Sequence, residues 1–487
     1  MGNPENRELL LRKEETIVIK LEHIFICSYL ILLPLMELPV IPINGMFEIF
    51  FRKLEYTDIA LFLFVIIFAK NILEWFKISK NRKYQIILFA LIISWIISSL
   101  FSFHIIASLA DTLGLCMLII LFVLLKKITF SYDMFIYVNK VNLYVAAFVS
   151  VTGIIAFTLY SFYPHPFLTN FVLPTFHLSG SLFPHRAFSF LVSPEMMISY
   201  LNVALVSGFI VFIHNIDKKI LLCLALIAVS AFLGHSRGLA GFFVTLSIIV
   251  FSFRLNSLCG KILANVLYLS TVVLLGLAII FTFYHRNSLE EPSDAVTEKV
   301  GIRHELNYYV MRAALQIAAD YPLFGIGPGN YSYEARNYII NIQPYYERDV
   351  IPINRLSNES GHSDPHCFYL GQISETGLIG FCLIVLFFCY ILFENRKIIN
   401  NDRSNIKVVR IHLILEAGII GLLVTGLFVD IFSMRHLWVL LAITCAAVNL
   451  NQDVKLKMIN QKYDIDGYTK SSKKLYFNGL CRNGICQ

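Results

Sequence analysis

Arginine and histidine residues stand at the borders of long apolar runs, in a sequence that otherwise keeps charge out of those runs. Arg186 precedes one run, Arg237 lies in the turn Gly234-His-Ser-Arg-Gly238 between two runs, and His366 begins another. Polar groups at membrane depth are costly and by default indicate function. Guanidinium groups bind phosphate oxygens bidentately, and histidine accepts protons near neutral pH. These residue types predict binding of a phosphate-bearing molecule beside a general base.

A long polar segment, residues 285–365, supplies further candidates. Within it, apolar residues recur at helical spacing and predict a helix over about 303–319. Those apolar residues are Leu306, Val310, Ala314 and Ile317. Arg303 and Arg312 lie on this helix, and His362 lies near the end of the segment. Arg303 is a candidate for phosphate binding, with Arg312 and His362 as reserve candidates.

A glycine-rich stretch, Gly325-Ile-Gly-Pro-Gly-Asn330, follows the end of this helix at Asp320-Tyr-Pro322. Glycine and proline at this density predict a turn. A nucleotide-binding loop needs a lysine after the glycines and a strand before them, and both are missing here. We interpret the stretch as a structural turn, with contact to a phosphate as the alternative.

The remaining sequence consists mainly of apolar runs that must position these residues. The chain is 57% hydrophobic and 15% charged, with mean hydropathy +0.68, whereas soluble domains carry about 25% charged residues. A helix crosses the hydrocarbon core with about 20 apolar residues, and the sequence holds roughly 12 such runs. The prediction is an all-α integral membrane protein of about 12 transmembrane helices.

The apolar runs divide the chain into five parts. We predict an N-terminal tail over residues 1–22, nine spans within 23–284, and a large, partly helical loop over 285–365. Among the nine, the fifth span covers about 141–162 and the ninth about 262–284. Three further spans lie within 366–450, the first of them at about 366–393, and a polar tail covers 451–487.

Basic residues are concentrated in alternate connections. The richer connections contain clusters such as Lys77, Lys80, Arg82 and Lys83. Because cytoplasmic loops carry the excess of lysine and arginine, both termini are predicted to be cytoplasmic. The candidate arginines and histidine then lie on the opposite face. The net charge of +7 belongs to membrane loops, and no nucleic-acid partner is predicted.

Two segments resemble the signature of the O-antigen ligase and O-antigen polymerase superfamily. The first is Pro322-Leu-Phe-Gly-Ile-Gly-Pro-Gly-Asn330, and the second runs from Pro365 to Gly380. In that family a histidine, usually followed by Asn, Ser or Gln, precedes nine residues and then Gly-x-x-Gly. Here His366 leads, Cys367 takes the second position, and Gly377 and Gly380 close the pattern.

The arginines carry a further part of the resemblance. Ser236-Arg237-Gly238 resembles the Ser-Arg-Gly element of the family. Arg186 stands where the family has an arginine ahead of a helix, and Arg303 resembles the arginine that opens the loop helix.

The resemblance implies a membrane glycosyltransferase with a GT-C-like fold in the bacterial inner membrane, with its active site periplasmic. Its donor would be an undecaprenyl-diphosphate-linked oligosaccharide, and its acceptor a glycan or the lipid A core. Arg186, Arg237 and Arg303 would hold the diphosphate, and His366 would activate the acceptor hydroxyl. The resemblance implies no cofactor and no required metal, and it allows a chain-length regulator as a partner.

Within this family, polymerase is favoured over ligase, because of the long external loop and the glycine-rich turn. A polymerase joins lipid-linked repeat units, whereas a ligase moves the chain to the lipid A core. A relative that transfers glycan to secreted proteins is a third alternative. A transporter or flippase is a rival from another class, although such folds tend to show paired halves.

Two other motifs have weaker interpretations. Gly234-His-Ser-Arg-Gly238 fits the nucleophile elbow of serine hydrolases, but that motif needs a preceding strand. His362, Asp364 and His366 could together ligate a divalent metal. Neither is favoured, because apolar runs flank the first motif and Pro365 interrupts the second.

Overall fold

The computed structural model describes residues 24–35, 56–67, 83–128, 131–174, 185–191, 193–253, 298–342 and 365–451. The predicted tail over 1–22, the ninth span at about 262–284, His362 and nearly all of the C-terminal tail fall outside these residues.

Helices dominate the described residues. The first group comprises α1 (Ile24–Leu35), α2 (Tyr56–Ile67), α3 (Lys83–Leu100), α4 (Ile105–Ile128) and α5 (Tyr132–Phe162). After a two-stranded sheet come α6 (Pro194–His214), α7 (Lys218–Gly234) and α8 (Leu239–Phe253). The last group comprises α9 (Glu298–Asp320), α10 (Tyr331–Ile342), α11 (Phe368–Asn401), α12 (Ile406–Thr425) and α13 (435–451).

Six of these helices are long and apolar enough to cross a membrane, namely α3, α4, α5, α6, α11 and α12. The predicted class, a largely α-helical membrane protein, is therefore confirmed at this level. The count of 12 spans and the GT-C-like fold stay predictions.

Helix α6 lies at the centre of the described bundle. Its apolar window is 83% buried, and it packs against α5, α7, α8 and α12. Asn142 donates from Nδ2 to Ser207 Oγ at 2.9 Å, which joins α5 to α6. Buried polar side chains between helices find partners in this way instead of water.

Helices α8 and α12 approach closely through small residues. A β-carbon on Gly241 would overlap the carbonyl oxygen of Gly421, so only glycine permits this spacing. Thr245 of α8 donates to the carbonyl oxygen of Ala417 at 3.1 Å. Small residues and interhelical hydrogen bonds are the usual means by which membrane helices associate. This contact sets the position of α12 along α8, and the position of the C-terminal end of α12 follows from it.

Some helix boundaries differ from the apolar runs. Helix α5 begins at Tyr132, ahead of the predicted start at about 141, because Ser131 caps it by accepting the N–H of Met134 at 3.2 Å. Helix α11 continues to Asn401, past the predicted end at about 393. In both cases backbone hydrogen bonding continues beyond the apolar stretch, so hydropathy alone underestimates the helix.

One element was not predicted from the helical pattern. Strands β1 (Val172–Pro174) and β2 (His185–Ala187) pair antiparallel, with Leu173 opposite Arg186.

The predicted loop helix is α9, and it ends at Asp320 as predicted. Val310, Ala314 and Ile317 are buried.

Candidate functional site

Arg186 is positioned by the short strand β2. Its neighbours His185 and Ala187 are buried, whereas Arg186 is partly exposed. His185 Nε2 lies 2.8 Å from Ser161 Oγ and 3.2 Å from the Phe157 carbonyl oxygen, which fastens the strand to α5. Burial lowers the pKa of His185 from its ordinary value. Because side chains alternate along a strand, Arg186 lies on the face opposite these anchors.

Arg237 lies in the tight turn between α7 and α8. Helix α7 ends at Gly234 and is capped by His235, which adopts the left-handed conformation with φ 39° and ψ 53°. Ser236 Oγ accepts the N–H of Gly238 at 3.2 Å. On α7, Gly234 packs against Met197 of α6, where a β-carbon would come within 2.9 Å of the Met197 Cε. The turn is therefore held against the first turns of α6.

An acidic residue, Glu195, lies near both arginines. Glu195, in the first turn of α6, places Oε1 3.9 Å from Arg186 Nη1. Burial lowers the pKa of Arg237, an effect that Glu195 opposes and Arg186 reinforces. The pKa of His235 is lowered by burial and by Arg186. Arg186, Glu195, His235 and Arg237 are thus within electrostatic range of one another, and we call them the arginine cluster.

Sequence reasoning missed two members of this cluster. Glu195 follows Ser193 and Pro194, an arrangement typical of a helix start. Ser193 does cap α6, accepting the N–H of Met196 at 3.2 Å. A first-turn acid has a sufficient local explanation in the helix dipole, so its proximity to Arg186 could not be read from the pattern. His235 was visible only as part of the turn motif.

His366 stands immediately before α11 in a strained conformation. Its φ is 49°, in the left-handed region that few residues other than glycine adopt. The side chain is exposed, while Pro365 and Cys367 on either side are buried. Just beyond, Phe368 donates its N–H to the carbonyl oxygen of Gly426 at 2.8 Å. Strain of this kind persists where the surroundings fix the backbone, and it often marks functional positions.

The turns that carry Arg237 and His366 meet at the end of α12. Thr425 Oγ1 donates to the carbonyl oxygen of Gly238 at 3.4 Å. The next residue, Gly426, accepts the N–H of Phe368. Two consecutive residues of α12 and its C-terminal turn therefore bind the backbone of both turns. The arginine cluster and His366 lie at the same end of the helical bundle.

The glycine-rich turn and the glycine pair near residue 380 form one structural unit. Helix α11 is interrupted at Gly377, with φ 67° and ψ −176°. The N–H groups of Leu378 and Ile379 donate instead to the carbonyls of Pro322 and Leu323, at 2.8 and 3.3 Å. In return, the N–H groups of Ile326 and Gly327 donate to the carbonyls of Ser374 and Glu375, at 3.1 and 2.9 Å. The glycine-rich turn is thus inserted into α11 at the interruption of that helix at Gly377.

Carboxylates surround this turn. Glu375 Oε1 accepts the N–H of Tyr331 at 3.2 Å, at the start of α10. The carboxylate of Asp111 lies directly against Gly329, where a β-carbon would overlap it. The carboxylate of Asp111 at this position disfavours an anion, so the geometry agrees with a structural turn.

The remaining candidates lie on or beyond α9. Arg303 is part of that helix, but its side chain is outside the described set. Arg312 is exposed on α9, whose buried face packs against α10 through residues such as Ala314 and Ile317. His362 and Asp364 lie outside the described residues, so the metal interpretation of that segment is not tested. Among the described residues, no group of three histidines, cysteines or acids could hold a metal ion.

The structure therefore brings together some of the predicted residues. Arg186 and Arg237 share the arginine cluster, and the turns of Arg237 and His366 share contacts at the end of α12. For Arg303, Arg312 and His362, the assignments stay predictions.

Comparison with known proteins gives one match. Residues 222–385 match the family model described as O-Antigen ligase (Wzy_C). No curated protein matches the chain. The matched region includes Arg237, the glycine-rich turn, His366 and Gly377, whereas Arg186 and Glu195 lie outside it. Residues 222–385 thus carry an O-antigen ligase domain, and the resemblance of this chain to the O-antigen ligase and O-antigen polymerase superfamily is confirmed.

Proposed function

We propose that the protein transfers an oligosaccharide from undecaprenyl diphosphate to a sugar hydroxyl at the periplasmic face of the bacterial inner membrane. One observation carries the proposal. Arg186 and Arg237 lie in one cluster, and the turn of Arg237 is joined to the turn of His366 through Thr425 and Gly426. Phosphate ligands and a proton acceptor are thereby held at one end of the bundle.

His366, Arg186 and Arg237 can account for each bond and proton in this transfer. The acceptor hydroxyl oxygen bonds to the anomeric carbon of the donor sugar, and its proton passes to the imidazole of His366. The bond between the anomeric carbon and the diphosphate oxygen breaks, and its electron pair stays on that oxygen. Arg186 and Arg237 stabilise the developing negative charge, a role in which a guanidinium is effective because it binds oxygens bidentately. Arg303 is a third candidate for this role.

This chemistry needs no nucleotide sugar and no cofactor, because the lipid diphosphate is itself the leaving group. The guanidinium groups supply the positive charge that a metal ion supplies in other transferases, and we propose that the reaction is metal-independent. The acceptor is a growing glycan or the lipid A core. A chain-length regulator is a further proposed partner.

A surface-polysaccharide polymerase is favoured, and a ligase is the alternative. The long segment before α11, with its glycine-rich turn, favours a polymerase. The printed name of the matching family, O-antigen ligase, supports the alternative. Deleting the gene and separating the lipopolysaccharide on a gel distinguishes them. Loss of a polymerase leaves one repeat on the core, whereas loss of a ligase leaves bare core.

A direct assay tests the transferase itself. Purified protein in detergent micelles is incubated with radiolabelled undecaprenyl-diphosphate-linked oligosaccharide and acceptor, and the products are separated by size. We expect products longer than the donor glycan. Arg237→Ala should lose this product, and Arg403→Ala serves as its matched control, since Arg403 is exposed between α11 and α12, at the opposite end of α11 from His366. Transport of the lipid across vesicles with no lengthened product would overturn the proposal in favour of a flippase.

A further inference from the structure

Glu195 makes a long ion pair with Arg186. Its Oε1 lies 3.9 Å from Arg186 Nη1, and the two side chains are 28% and 23% exposed. Elsewhere in the same protein, Arg396 Nη2 lies 3.0 Å from Glu416 Oε1. Charge-assisted hydrogen bonds between these groups are usually about 2.7–2.9 Å long. Glu195 and Arg186 therefore attract each other electrostatically without forming a direct hydrogen bond.

The start of helix α6 fixes the backbone of Glu195. Ser193 caps α6 and Pro194 occupies its first turn, so the position of the residue is set by the helix start. The turn that carries Arg237 packs on the same end of α6, where β-carbons on Gly234 and Gly238 would lie 2.9 Å from Met197 Cε and 3.6 Å from Ile198 Cγ2. Glu195 and Arg186 both contribute to the shifted pKa of Arg237. One carboxylate thus faces two guanidinium groups in a half-buried setting, where charges are screened less than in water.

We propose that Glu195 is the counter-ion of the arginine pair before the donor binds and that the donor diphosphate displaces it. This inference rests on the proposed function. Two guanidinium groups repel each other when no anion is present, and Glu195 compensates for that repulsion. A diphosphate offers more oxygens than one carboxylate and binds the same two groups, so carboxylate and substrate compete for them.

The competition also affects product release. Undecaprenyl diphosphate, freed of its glycan, has one more ionisable oxygen than the donor and binds the arginine pair more tightly. Return of the Glu195 carboxylate to the pair favours departure of this product. Glu195 is therefore a positioning residue that weakens donor binding and speeds turnover.

Glu195→Gln separates this role from a structural one. The amide keeps the shape of the side chain but removes the charge, so we expect KM for the donor and the inhibition constant of inorganic pyrophosphate to fall together. The expected gain in pyrophosphate affinity is roughly tenfold, as for one uncompensated charge at a half-buried site. kcat is expected to fall as well, because product leaves more slowly. Glu195→Asp should restore much of the wild-type balance.

The controls make each outcome decisive. Glu334→Gln makes the same chemical change on α10, where the partner is His104 at 3.7 Å, and should leave pyrophosphate inhibition unchanged. Unchanged pyrophosphate inhibition in an active Glu195→Gln protein, or a raised KM, would overturn the inference. A wild-type protein that makes no transfer product would instead overturn the proposed function. If Glu195→Gln does not fold, Glu195→Ala, which also removes the charge, tests the inference by the same fall in the inhibition constant of pyrophosphate, and an unchanged constant would overturn it.

Discussion

The hydroxyl of Thr425 donates to the carbonyl oxygen of Gly238 at 3.4 Å. This contact connects residues far apart in sequence, and the next residue, Gly426, holds the backbone beside His366. The C-terminal end of α12 is thus the structural link between the arginine cluster and the candidate base. A link made of backbone contacts can keep the two turns in register while their side chains remain available for substrate.

Loss of the Thr425 hydroxyl should loosen this link. In Thr425→Val the shape is nearly kept, but the one hydroxyl proton, which the carbonyls of Gly238 and Gly421 share at 3.4 and 3.1 Å, is lost. Because small displacements of catalytic groups are costly, kcat/KM is expected to fall by roughly three- to tenfold. Steady-state kinetics with labelled donor measures this. Thr444→Val is the control, since the hydroxyl of Thr444 bonds to Leu440 within its own helix, and equal losses in both variants would contradict the prediction.

Gly377 should tolerate no side chain. Its φ of 67° and ψ of −176° lie in a region that essentially only glycine occupies, and a β-carbon would overlap the backbone of Leu323. We expect Gly377→Ala to lower the free energy of unfolding by about 2 kcal/mol or more.

Thermal unfolding in detergent measures this loss. Gly114→Ala is the matched control, because Gly114 lies in α4 with open space where a β-carbon would stand. Alanine should be neutral or stabilising there. A Gly377→Ala protein as stable as Gly114→Ala would contradict the insertion of the turn into α11.

The arginine pair should depend on bidentate geometry as well as charge. Arg186→Lys and Arg237→Lys keep the positive charge but replace a planar fork by a point charge. We expect each to reduce kcat/KM by about tenfold or more, the loss of a charge-assisted hydrogen bond. Arg403→Lys, exposed between α11 and α12 at the opposite end of α11 from His366, should behave as wild type. If lysine replaces both arginines without loss, they do not bind the diphosphate.

Stability should fall in mild acid because of His185. Burial lowers its pKa in the folded state below the ordinary value of 6.5. As the pH falls below 6.5, the unfolded chain gains a proton on this residue that the folded protein resists, so the free energy of unfolding decreases. The stabilisation is present above pH 6.5 and is lost as the pH falls through the folded-state pKa. Thermal unfolding between pH 7.5 and about 5 should show a smaller slope for His185→Gln, and identical slopes would exclude this cause.

The sequence predicted those features that depend on local pattern. Apolar runs predicted the helices that carry the described bundle, and helical spacing predicted α9 up to its end at Asp320. The types of residues at the borders of these runs identified Arg186, Arg237 and His366 as candidates.

The features that were missed depend on contacts between distant residues. Nothing local indicates that Glu195 faces Arg186, because its place after Ser193 is already explained by a helix start. The strand pairing that orients Arg186 and the insertion of the glycine-rich turn at Gly377 also join segments separated in sequence. Such pairings follow from tertiary packing, which single-segment patterns do not contain.

The most direct test measures donor binding and transfer separately in His366→Ala and Arg237→Ala. The protein is held in micelles with labelled undecaprenyl-diphosphate-linked oligosaccharide, and bound donor and lengthened product are quantified on the same sample. We predict that His366→Ala binds donor as wild type does but transfers it roughly 10²- to 10⁴-fold more slowly, whereas Arg237→Ala loses binding. Transfer at the wild-type rate by His366→Ala would contradict the account.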